Sequence, residues 1–206
     1  MTEIEIDIAE HRRALATVLE GLDDGQWDTP SLCAGWRVRE VAAHLTMPFR
    51  YKLPKVALGM LKARGNFARM ADRAARHDAA TMTTAELTAA LADNADFVWK
   101  PPGGGMDGAL SHDVIHGLDI TVPLGIDLPI PSGRMLRVLA GSDSERGRKF
   151  FGVDLNGIEL RADDLDWSLG SGTPLSGRAQ DLLLVLCGRK VPEGRLRGEP
   201  GARFTR

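Results

Sequence analysis

At 206 residues, with 43% hydrophobic and 26% charged side chains, the chain can build one large domain, or a body with a smaller appendage, around a buried core. Its 26 basic and 28 acidic residues leave a net charge of −2, which excludes a global field that would recruit nucleic acid or an anionic membrane surface. The start, Met1 to Glu10, is acidic, no stretch approaches the ~20 apolar residues of a membrane span, and the two cysteines, Cys33 and Cys187, form no CxxC pair; a cytoplasmic chain with reduced thiols is predicted.

Apolar Ile8, Leu15, Val18, Leu19 and Leu22 repeat at helical spacing and predict a first helix over 7–22, although His11 interrupts the stripe. Trp27 to Trp36 is rich in turn residues and predicts an ordered loop pinned by its two large rings. A second helix is predicted from Arg37, with Val38, Val41 and Leu45 as its apolar stripe and His44 on the same inward side. Residues 47–76 predict a longer helix broken near Gly65 or entered at Pro54. Thr83 and Glu86 match a capping box, opening a helix whose face is Leu87, Leu91, Phe97 and Val98 and which ends before Pro101. Gly103 to Gly105 lacks the Lys-Ser/Thr ending of a phosphate loop and reads as a hinge into a helix that carries His112 and His116 and stops near Pro123.

The pattern changes after Leu124. Ile126 to Pro131 reads as a linker, and Met135 to Leu139 as a further helix. Residues 158–162 and 166–169 alternate as a hairpin does, 178–187 predicts a buried helix closed by Gly188, and the basic, Gly-rich 193–206 tail has room for one last strand. The expected class is α+β: an antiparallel helical bundle over 1–126 and a small C-terminal α/β region over 127–206.

The chemistry centres on histidine. His112 and His116 are four apart, so on a helix their imidazoles reach one point, and Asp119 continues the stripe. His44, on another inward-facing helix, supplies a third imidazole. Three imidazoles with an open position would make a catalytic metal site, whereas a hydrogen-bonded core network of His112, His116 and Asp119 is the alternative. Asp119 is expected to orient a ligating imidazole through its other nitrogen. His11 and His77 have charged neighbours and are expected to be exposed, and Cys33 to be a small packing residue.

The segments 27–38 and 41–45, His112 to Asp119, and Asp166-Trp167 followed by Gly177 to Leu182 and Gly188-Arg189 together resemble the mycothiol-dependent maleylpyruvate isomerase family, within the DinB-like metal-binding bundles, over nearly the whole chain. The resemblance implies a DinB-like four-helix bundle holding a divalent metal, zinc before nickel or iron, on His44, His112 and His116, with Asp119 beside them. It also implies mycothiol as cosubstrate. The isomerase that names the family resembles this pattern with a carboxylate at the place of His112; a three-histidine set is more similar to the thiol S-transferases of the wider superfamily. Arg189 is the candidate for holding a substrate carboxylate, or else a charge capping the last helix.

The function expected from this is activation of a small thiol as thiolate, followed by S-transfer to an electrophile or thiol-assisted cis-trans isomerisation. The partners are then a thiol and an electrophile, with no nucleic acid and no membrane, on a monomer or homodimer. A non-catalytic metal- or ligand-binding protein and a metal-dependent hydrolase are the rival expectations.

Overall fold

The computed structural model describes residues 1–206 and contains ten α-helices and one four-stranded sheet. The helices are α1 (Glu3–Glu20), α2 (Asp24–Trp27), α3 (Val38–Arg50), α4 (Leu53–Lys62), α5 (Phe67–Thr81), α6 (Thr84–Ala92), α7 (Gly105–Thr121), α8 (Ser132–Asp143), α9 (Glu145–Phe151) and α10 (Ala179–Leu186). The bundle is built where α1 packs on α6 and α7 while α3 packs on α5, α6 and α7. The apolar repeat read from the sequence explains the fit: Ile8, Leu15 and Leu19 of α1, and Val38, Val41 and Leu45 of α3, are all buried. The sheet runs in the order β2 (Ser168–Gly170), β1 (Ile158–Ala162), β3 (Thr173–Gly177), β4 (Leu196–Arg197); β1 is antiparallel to β2 and parallel to β3. Helix α10, all eight residues buried, lies between this sheet and α7 and α8. No helix is long and apolar enough to cross a membrane.

The α+β class stands, and several boundaries move for physical reasons. Helix α1 begins earlier than expected because Thr2 and Glu5 close a capping box, with the Thr2 backbone N–H donating to Glu5 Oε2 at 2.8 Å. The stretch 47–76 breaks at both expected places. Helix α3 runs through Pro48 and stops at Tyr51, α4 carries Pro54 in its first turn, and left-handed Arg64 and Gly65 separate α4 from α5. The helix after Thr83 ends at Ala92, well short of Pro101, so Phe97 and Val98 lie in an exposed loop rather than on its face. The carbonyls of Asn94, Ala95 and Phe97 turn instead to the buried guanidinium of Arg12, which replaces the helical donors they would otherwise need. Strand β3, the short helix α2 and α9 were not expected; Pro174 inside β3 masks its strand signal.

Candidate metal centre

Helix α7 crosses the bundle and presents His112, His116 and Asp119 one turn apart, as the spacing demands. Helix α3 brings His44 opposite, and its ring centroid lies 5.0 Å from that of His112 and 4.9 Å from that of His116. The ligand-capable atoms of the three histidines all lie within 4.8 Å of one another. Tight approach of α1 is permitted by Gly117, where a Cβ would fall 2.8 Å from His11 Nε2.

The outer nitrogens decide which inner ones are free. His112 Nδ1 donates to Asp113 Oδ1 at 2.8 Å, and His116 Nδ1 donates to Asp119 Oδ2 at 2.9 Å. Both carboxylates only accept, so both rings carry their proton on Nδ1 and offer Nε2. His112 Nε2 faces His44 Nε2 at 3.2 Å, while His44 Nδ1 is buried without a partner. Two tetrahedral ligands at ordinary metal–nitrogen distances would stand about 3.3 Å apart, so the histidine set fits a divalent ion as the fourth neighbour of these nitrogens. His44 Nδ1 has no partner with or without an ion at Nε2, so the fit is carried by the Nε2–Nε2 approach and by the two outward-bonded Nδ1 atoms of His112 and His116.

The charges around the site are paired. Asp119 is fully buried; burial pushes its carboxyl up, but the hydrogen bonds from His116 and Arg189 outweigh that and hold it well below the usual carboxylate range. Arg189 grips it through two donors, Nε to Oδ1 at 3.0 Å and Nη2 to Oδ2 at 2.9 Å, and its Nη1 donates to the Cys187 carbonyl at 2.8 Å. Burial lowers the pKa of His44 far below its ordinary value, with His116 and His112 adding to the effect, and burial likewise lowers that of His116. Neutral imidazoles are the form a metal takes.

The site's walls were only partly legible. Trp36, from the ordered loop, lies 5.2 Å from the His44 ring, and Trp99 meets the His112 ring edge-on at 5.2 Å. Cys33 is more than a packing residue: its Sγ donates to Asp119 Oδ2 at 2.9 Å and lies 3.6 Å from His116 Nδ1, so Cys33, His116 and Asp119 form a second metal-capable cluster. Burial, then the Asp119 charge, pushes the Cys33 thiol far up. His11, expected to be exposed, is buried at 1% and bonds the Asp113 carbonyl, whereas His77 is exposed. Arg12 and Asp113, which bond the site through His112, were not singled out in the sequence. Their signal was available: the polar interruption of the first helix's apolar stripe extends to Arg12, and Asp113 adjoins His112.

Residues 8–99 match the family model of the mycothiol maleylpyruvate isomerase N-terminal domain. That segment contains His44 and Cys33 and ends before α7. Among solved structures, the chain is similar to the crystal structure of the mycothiol-dependent maleylpyruvate isomerase, at TM-score 0.54 and 16% identity, covering 97% of this chain and 92% of that one. A crystal structure of a histidine-to-alanine mutant of that isomerase matches with the same values. At this identity the likeness establishes a shared fold. No curated protein sequence matches the chain.

Proposed function

On the premise that the segment 8–99 belongs to the mycothiol maleylpyruvate isomerase N-terminal domain family, we propose that this chain is a metal-dependent enzyme that uses mycothiol, or a thiol like it, against a carbon electrophile. The supporting observation is the convergence of the three imidazoles, with the two on α7 turned Nε2-inward by Asp113 and Asp119. A divalent ion held by His44, His112 and His116, zinc before nickel or iron, would lower the pKa of a thiol sulfur so that thiolate exists at neutral pH. The chain's residues do the rest. Arg12 and Arg189 neutralise the two carboxylates, so neither discharges the site, and an anionic sulfur is favoured there. Trp36 and Trp99 restrict water around the reacting atoms. The sulfur attacks the electrophilic carbon and forms a C–S bond, either as a leaving group such as halide departs with its bonding pair, or as the π pair of a conjugated double bond moves onto the adjoining carbonyl to give an enolate. Either the thioether leaves as product, or rotation follows and the sulfur is expelled with the carbon skeleton isomerised.

Arg189 supports S-transfer over isomerisation of a dicarboxylate. Four of its five N–H donors are taken, two by Asp119, one by the Cys187 carbonyl and one facing Cys33, so its fork is not free to grip a substrate carboxylate through two bonds. The test is metal content by elemental mass spectrometry on untagged protein, wild type beside His112→Ala, followed by turnover of thiol with a neutral aryl halide and with a cis-dicarboxylate. Near-stoichiometric metal in the wild type, little in the variant, and thiol-dependent consumption of the halide are expected. A wild type that retains no metal after reconstitution would reduce the histidines to a core network.

A further inference from the structure

We propose that Arg12 and Asp113 are positioning residues of the site: a buried pair that locks the His112 ring with Nε2 inward and fixes the Trp99 wall beside it. The inference rests on the metal-site reading above. Asp113 is 1% exposed and uses both oxygens, Oδ1 accepting from His112 Nδ1 at 2.8 Å and Oδ2 from Arg12 Nε at 2.6 Å. Arg12, always cationic and a donor only, occupies Oδ2, so the ring meets an ionised acceptor at Oδ1. An ionised acceptor on Nδ1 removes the alternative tautomer and the flipped ring.

Arg12 does more than balance that charge. Its Nη1 donates to the carbonyls of Ala95 at 3.1 Å and Phe97 at 2.7 Å, and so anchors the segment that leads directly to Trp99. One guanidinium therefore ties α1, the 94–97 turn and the α7 ligand together. Stability is a poor explanation for the pair. A buried arginine–carboxylate pair is commonly replaced by apolar residues at no loss, and Arg12 Nη2 is buried with no hydrogen-bond partner, the guanidinium lying over the Phe49 ring at 4.8 Å. The arrangement also repeats. His116, Asp119 and Arg189 form the same imidazole–carboxylate–guanidinium series from the other end of the chain.

The experiment measures zinc affinity of the full-length protein by competition with a chromophoric chelator, alongside urea unfolding, for wild type, Asp113→Asn and the double variant Arg12→Met/Asp113→Asn. Asp113→Asn should bind zinc about 10–100-fold more weakly and be less stable, because it strands the Arg12 charge. The double variant exchanges that stranded charge for unpaired Ala95 and Phe97 carbonyls, so whichever way its stability moves from that of Asp113→Asn, zinc binding should stay about 10–100-fold weaker than in the wild type. Affinity that returns together with stability, or an Asp113→Asn protein that binds zinc as the wild type does, overturns the proposal. A wild type that binds no zinc overturns the metal-site reading and this inference with it; tight binding with insensitive variants overturns the inference alone.

Discussion

His11 illustrates how a single side chain carries a pH signature. Burial lowers its pKa from 6.5 to about 4 against the opposing pull of Asp113, so the folded chain holds it neutral. Between these values the unfolded chain binds more protons, and the stability His11 contributes is complete above pH 6.5 and lost as pH falls toward 4. The shift corresponds to roughly 3 kcal/mol. In His11→Gln the loss of stability between pH 7 and 4.5 should shrink by an amount of that order, read from urea midpoints; an unchanged pH dependence would show that other groups carry it. His11 also shows what sequence reading misses at this scale. A polar residue in an apolar stripe can be read as a sign of exposure, yet here it marks a buried group with a distant partner, the carbonyl of Asp113.

At the scale of elements, periodicity predicts where a helix lies better than what lies on its outer side. Leu61 of α4 is 76% exposed, whereas Leu110 of α7 is fully buried, although both occupy apolar positions of helical segments. Leu61→Ala should change unfolding free energy by no more than ~0.5 kcal/mol and Leu110→Ala should cost ~2–5 kcal/mol, measured by denaturant titration. Comparable costs would mean that α4 is covered. The helices bearing His44, His112 and His116 were legible because caps, prolines and the i, i+4 histidine pair are local signals. The early end of α6, the turn that follows it and strand β3 were not. The turn takes its donor from Arg12, far along the chain, and β3 pairs in parallel with β1 across the intervening β2, a crossover that no hairpin signal marks.

Across the whole molecule, the two units proposed from sequence, 1–126 and 127–206, share one core. Leu110, Val114 and Leu118 of α7 belong to the same buried cluster as Leu139 of α8, Leu160 of β1 and Leu183 of α10. A fragment comprising 1–126 should therefore expose that face of α7 and aggregate or stay unfolded, observed by size exclusion and circular dichroism; a compact, soluble fragment would show that the bundle stands alone. The Arg189–Asp119 pair has a consequence during biosynthesis. A ribosome working at about 5–20 residues per second needs roughly 4–14 s to travel the 70 positions from Asp119 to Arg189. Through that interval Asp119 has no Arg189 to oppose it, and the core that α7 shares with α8, β1 and α10 is not yet complete. Arg189 follows directly on α10, which packs on α7, so the guanidinium that neutralises Asp119 and the core that seats the histidine helix become available together, late in synthesis.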